Sequence, residues 1–171
     1  MKVLQMIRSL LEKITDGVGV FAMLALLLMM LNIFVDVFMR YALNSSSIFA
    51  QELEWHFFAL MFLFGISYAM RHDSHVRVDV FYERFSVKKK ALINALGMIA
   101  FVIPIMVVIM VASIDFVGYA IKINEGSPDP GGIPYRFIIK SAIPLSIFFV
   151  ILQALAEVIK NLEILLRKDF A

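Results

Sequence analysis

Four long apolar stretches, Gly17–Val37, Leu53–Met70, Ala91–Gly118 and Phe137–Ala156, leave this chain few ways to fold. Each is close to or longer than the ~20 residues a helix needs to cross a hydrocarbon core about 30 Å thick. Lipid offers no hydrogen bonds to a bare backbone, so such segments must be helices or strands of a closed barrel. The stretches are apolar on every side and lack the alternation of a barrel strand. The sequence therefore predicts an all-α membrane protein with four transmembrane helices, forming one domain over residues 1–171. Hydrophobic residues make up 61% of the chain, well above the roughly 45–50% of soluble domains, so no separate soluble domain is expected. The first run follows positive residues, as a secretory signal does. It is longer than the usual apolar region of about 7–15 residues and no A-x-A-like site follows it, so it reads as a retained span.

Lys and Arg are unevenly placed. The two tails and the Arg71–Lys90 connection together hold twelve of the sixteen. The positive-inside rule assigns those segments to the cytoplasm. Both termini are then cytoplasmic, which requires an even number of spans, in agreement with four. Trp55 and the five tyrosines fall at or near span ends, where amphipathic rings favour the membrane interface.

Outside the spans, residues 1–16 place Val3, Ile7, Leu10, Leu11 and Ile14 on one helical face. This stripe predicts an amphipathic helix on the membrane surface; the alternative is the solvated start of the first span. In the Arg71–Lys90 connection, Val78, Phe81, Tyr82 and Phe85 predict a second, short interfacial helix. Val158, Ile159, Leu162, Leu165 and Leu166 extend the fourth helix past its span. Asp36 and Arg40 are four apart and can pair on one helix face. Asn44-Ser45-Ser46-Ser47 makes a turn and supplies an N-cap for the second helix. Gly65 and Ala69 are small residues at a spacing that lets helices approach closely in lipid. Pro104 predicts a kink in the third span, and Pro134 is expected to open the fourth helix as its first residue.

The span centres are almost free of charge. A charge at mid-bilayer costs at least about 2.5–3.5 kcal/mol on insertion scales, so ionisable residues there usually mark a pathway. Asp36, Asp115 and Lys140 instead lie towards one set of span ends, where neutralisation of the acids by Arg40 or Lys140 accounts for them. Only His56 lies in a span, so bis-His haem ligation across the membrane is not supported. His72, His75 and Asp79 form at most a thin metal-ligand set. There is no cysteine and no Gly-rich phosphate loop. The basic connection sets topology and meets anionic lipid, not nucleic acid. The residues thus point to a membrane subunit that works through its contacts and is not an enzyme.

Two stretches carry a family resemblance. One runs from Glu52-Leu53 to Gly65-Ile66-Ser67-Tyr68-Ala69-Met70-Arg71 and on to His75-Val76-Arg77-Val78-Asp79-Val80. The other is Asp129-Pro130-Gly131-Gly132-Ile133-Pro134-Tyr135-Arg136. With four spans and both ends inside, the chain resembles the small membrane subunit (DctQ-like) of tripartite ATP-independent periplasmic, or TRAP, transporters. The resemblance implies a bacterial inner-membrane complex. A large membrane subunit would carry the substrate and Na+ sites and move by an elevator mechanism. A periplasmic binding protein would deliver an organic acid such as a dicarboxylate or a sialic acid. The small subunit would belong to the fixed scaffold, with no cofactor of its own. Residues expected at a partner interface or in structural roles are Asp36, Arg40, Glu52, Trp55, Gly65, Ala69, Arg71, His75, Asp79, Asp115, Arg136 and Lys140. The Glu52–Trp55 end and the Pro/Gly loop are also placed to meet the binding protein, unless that loop is a simple turn. Rival readings are a stand-alone oligomeric transporter or channel, the membrane anchor of a respiratory-type enzyme, and an assembly factor.

Overall fold

The structure, a computed structural model, describes residues 2–72, 82 and 84–166. Among them every regular element is helical, and four helices are long and apolar enough to cross a membrane: α1 Lys2–Ala42, α2 Ile48–Arg71, α3 Val87–Lys122 and α4 Phe137–Leu166. They run alternately up and down. One end of the bundle gathers the described starts of α1 and α3 and the ends of α2 and α4; this is the termini end. The α1–α2 and α3–α4 connections close the other, the loop end.

Helix α4 is the hub. It packs against α1, α2 and α3, and α1 also lies along α2. Accordingly α4 is the most enclosed helix and α3 the least. One apolar cluster joins Val18 and Ala22 of α1 to Phe64 of α2 and Ala142 of α4. A second joins Met70 to Val150 and Ala154, flanked by Met98, Val102 and Met106 of α3. Alanines are prominent in these contacts: Ala22, Ala91, Ala95, Ala142, Ala154 and Ala156 are all buried. Lipid tails are as apolar as Leu, so close backbone approach through small residues is what distinguishes a helix neighbour from solvent here.

The tightest approach is at Gly19, where a Cβ would run into the ring of Tyr68. Gly65, which the sequence offered for this role, faces open space within the chain. The reason is rotational: the α2 face packed against α1 and α4 carries Phe64 and Ser67, and Gly65 lies beside it.

Helix α1 is unbroken from Lys2 to Ala42, so residues 2–16 are the start of the first spanning helix and not a separate surface helix. Polar ties account for this. Thr15 Oγ1 donates to Gln153 Oε1 at 2.9 Å, Arg8 lies 3.6 Å from Glu163, and Asp16 pairs with Arg71 at 2.9 Å. The apolar stripe of Val3, Ile7, Leu10 and Ile14 is exposed. Helix α4 likewise continues past its span to Leu166 and turns Asn161 and Glu163 inward.

In α3 the irregularity expected at Pro104 takes the form of a π-helical turn at Met98–Val102. Proline lacks an N–H and its ring crowds the carbonyl four residues earlier, that of Ala100 inside the turn. The wider turn relieves the crowding and lets the helix continue. Ser47 caps α2, its Oγ accepting from the Ala50 N–H at 3.3 Å. The interfacial helix expected around Val78 and Phe81 lies outside the described residues; Tyr82 of that group donates its hydroxyl to Asn94 Oδ1 at 3.0 Å.

Substituting Gly19→Ala should destabilise the bundle by about 1–3 kcal/mol, the usual cost of overpacking a tight contact. Gly17→Ala, where a Cβ meets nothing, should leave the detergent-solubilised melting temperature unchanged or higher. Equal melting of the two variants would contradict the close α1–α2 approach.

Candidate functional site

The chemistry-bearing residues of the loop end converge on Glu52. It sits in the second turn of α2 and is almost fully buried. Its Oε1 accepts from the Ser127 hydroxyl at 2.5 Å, and its Oε2 accepts from the Ile133 N–H at 2.5 Å. The Ser127 hydroxyl in turn accepts from the Asp129 N–H at 3.1 Å. A buried carboxylate must be hydrogen-bonded to remain charged, and this one takes both donors from the Pro/Gly loop. The loop closes on itself as well: Ser127 N–H donates to the Ile133 carbonyl and Arg136 N–H to the Glu125 carbonyl. It is therefore an ordered lid on α2 and not a simple turn.

Glycine is required at two points of this lid. Gly131 has φ 87, a conformation that costs a residue with a Cβ. At Gly132 a Cβ would collide with Ser127 and with the Glu52 carboxylate. Tyr135 also takes a positive φ of 60. That break explains why α4 begins at Phe137 and why Pro134 is part of the loop instead of the first helical residue. The Ile133 N–H is committed to Glu52, and the left-handed Tyr135 interrupts any helix starting earlier.

Around this core stand the other polar groups. The Arg136 guanidinium lies over the Trp55 ring, 5.4 Å from its centre. Lys140 pairs with Glu125 at 2.5 Å and sits 4.0 Å from the centre of the Phe116 ring. Asp36 is buried and pairs with Arg40 one helical turn on, as the spacing predicts. Asn32 Nδ2 donates to the Ala50 carbonyl at 2.8 Å, tying α1 to α2.

The remaining expected residues lie elsewhere. Asp115 is exposed on α3 and makes no ion pair among the described residues; the cation expected to neutralise it, Lys140, is held by Glu125. Arg71 is at the termini end, where it bonds the Glu12 carbonyl as well as Asp16. His56 Nδ1 lies 2.6 Å from the Glu52 carbonyl, a bond within its own helix. Gly65 and Ala69 are half-buried. His75 and Asp79 lie outside the described residues. Among the described residues no three His, Asp or Glu side chains gather into a metal-ligand set.

Sequence reasoning missed Ser127, Gly132 and Glu125 as partners. The one local signal was Ser127-Pro128-Asp129, whose hydroxyl-to-backbone turn marks an ordered loop.

Gly132→Ala should loosen the lid by about 1–2 kcal/mol, so that trypsin cleaves after Arg136 roughly 5- to 30-fold faster. Gly126→Ala, where a Cβ meets nothing, should cleave like the parent chain. Identical rates for both would show that Glu52 does not hold the loop.

Comparison with known proteins agrees with this architecture. Residues 29–163 match the family described as tripartite ATP-independent periplasmic transporters, DctQ component. A relative named as the ectoine TRAP transporter small permease protein TeaB, from Halomonas elongata, is 31% identical over 141 residues. The match covers 81% of this chain and 70% of the relative. No solved structure matches the chain. The chain belongs to the DctQ family: it is a small permease subunit of a tripartite ATP-independent periplasmic transporter and a multi-pass protein of the inner membrane.

Proposed function

We propose that this chain is the fixed, non-catalytic brace of its transporter. It binds a large membrane subunit, and that subunit performs secondary active, Na+-coupled uptake of an organic acid delivered by a periplasmic binding protein. Both termini, on the charge rule, face the cytoplasm, so the loop end with its lid faces the periplasm and the binding protein.

The distribution of charge along the four helices supports this reading most directly. Helix α1 has no charged side chain between Asp16 and Asp36, α2 none between His56 and Arg71, α3 none between Lys90 and Asp115, and α4 none between Lys140 and Glu157. The buried serines in the spans bond carbonyls of their own helices: Ser67 to Phe64, Ser113 to Met110 and Ser146 to Ile143. A bundle that moved an ion or acid through itself would need polar groups at that depth. The poorly enclosed α3, with exposed Asp115 near one end, offers a partner both apolar area and a carboxylate to neutralise. Residues that select the solute would then lie in the other chains. The ectoine in the relative's name and the dicarboxylates belong together in a first uptake screen.

Deleting this chain should abolish uptake in cells that retain the large subunit in the membrane, and a plasmid copy should restore it. The purified chain alone, in liposomes, should carry neither solute nor Na+. Undiminished uptake after deletion would refute an essential role, and flux through the chain alone would replace the brace with a self-sufficient transporter.

A further inference from the structure

We propose that the loop end of α2 and α4 holds one anionic glycerophospholipid, its phosphate on Arg136 and an acyl chain in the groove beneath. The two helices start at the same end and run in the same direction, leaving between them a groove of about 520 Å³. Trp55, Phe58 and Phe62 line one wall, and Arg136, Ile139 and Ile143 line the other. The first wall is a helical stripe at intervals of three or four residues, and on the second Arg136 stands one residue before α4, whose Ile139 and Ile143 continue it; both are polar or amphipathic at the top and apolar below. From the first to the last residue of a stripe is about 10 Å at 1.5 Å per residue, some two-thirds of one leaflet's hydrocarbon.

Charge and shape select the occupant. The charged groups lining the groove are Arg136, Lys140 and Glu125. Lys140 is already paired with Glu125, which leaves a net positive rim. Arg136 lies over Trp55 and makes no ion pair within 4.0 Å among the described residues, although its charge also acts on the Glu52 carboxylate behind the groove; a guanidinium is suited to bidentate phosphate contact. A soluble anion has no use for the apolar depth below. An acyl chain is slender enough, and a headgroup of one net negative charge matches the rim. The binding needs only the membrane-spanning fold, whatever the chain's transport partners.

Trp55 is the only tryptophan and reports on the site. Full-length chain in neutral detergent would be titrated with phosphatidylglycerol brominated on its acyl chains, with similarly brominated phosphatidylcholine, and with inorganic phosphate. Phosphatidylglycerol should quench Trp55 saturably, at a concentration at least about tenfold below phosphatidylcholine, a difference of about 1.4 kcal/mol. Arg136→Gln should abolish that preference. Ala59→Leu, which fills the groove floor, should reduce quenching by both lipids while the helical circular dichroism is unchanged. Equal quenching by the two lipids in the parent chain, a requirement no variant's folding can obscure, would reduce the site to ordinary lipid contact. Displacement of phosphatidylglycerol by millimolar inorganic phosphate would show a small-anion site and overturn the lipid assignment.

Discussion

Hydrocarbon gives a peptide group nothing to bond to, so each span must close its own backbone ladder and each polar side chain must find a partner within reach. In this chain that constraint sorts polar groups by depth. Hydroxyls inside the spans turn back on carbonyls of their own helix. Groups able to bond across helices are held at the two ends. At the termini end these are Thr15 with Gln153, Arg8 with Glu163, and Arg71 with Asp16. At the loop end they are Asn32 with Ala50, Glu52 with the lid, and Lys140 with Glu125. The bundle is tied at both ends and apolar between them.

Ties of this kind matter more in lipid than they would in water, because moving an apolar side chain from lipid to a helix neighbour changes its surroundings little. Alanine contacts and the Gly19–Tyr68 approach then set how closely helices lie, and the end ties set which helices are neighbours. Helix α4 meets all three others, whereas α3 is held mainly along α4. The described residues are thus held at both ends of the bundle, in keeping with the proposed role as a brace.

The spans were legible in the sequence because their signal is local: a long apolar run needs no knowledge of its neighbours. The same holds for the Asp36–Arg40 pair and the Ser47 cap, each a matter of three or four residues. The lid was not legible. Glu52 meets Ser127 and Ile133, which are 75 and 81 positions away, and no spacing rule reaches that far. Its acid reads equally well as one placed near the start of α2, where the helix dipole favours negative charge. Gly65 and Gly19 show a related limit. Both are small residues in apolar helices, and only the rotation of each helix against its neighbours decides which is used.

The extension of α1 carries the same logic past the span. In water an amphipathic helix buries its apolar side and exposes its charges. Residues 2–16 depart from this: Lys2 and Lys13 are exposed, but Arg8 and Asp16 reach Glu163 of α4 and Arg71 of α2, while Val3, Met6, Ile7 and Leu10 turn out. Arranged that way, the charges hold helix to helix and the apolar stripe is given to the surroundings, a pattern suited to the headgroup–acyl boundary and poorly suited to bulk water. A helix of 41 residues is about 60 Å long at 1.5 Å per residue, longer than the roughly 40–45 Å of a bilayer with its headgroups. The excess of about 15–20 Å corresponds to roughly 10–13 residues, close to the length of the 2–16 segment, which places the outward stripe at the membrane face. The amphipathic periodicity of residues 1–16 thus had the right physical cause, while the helix that bears it is the first span itself.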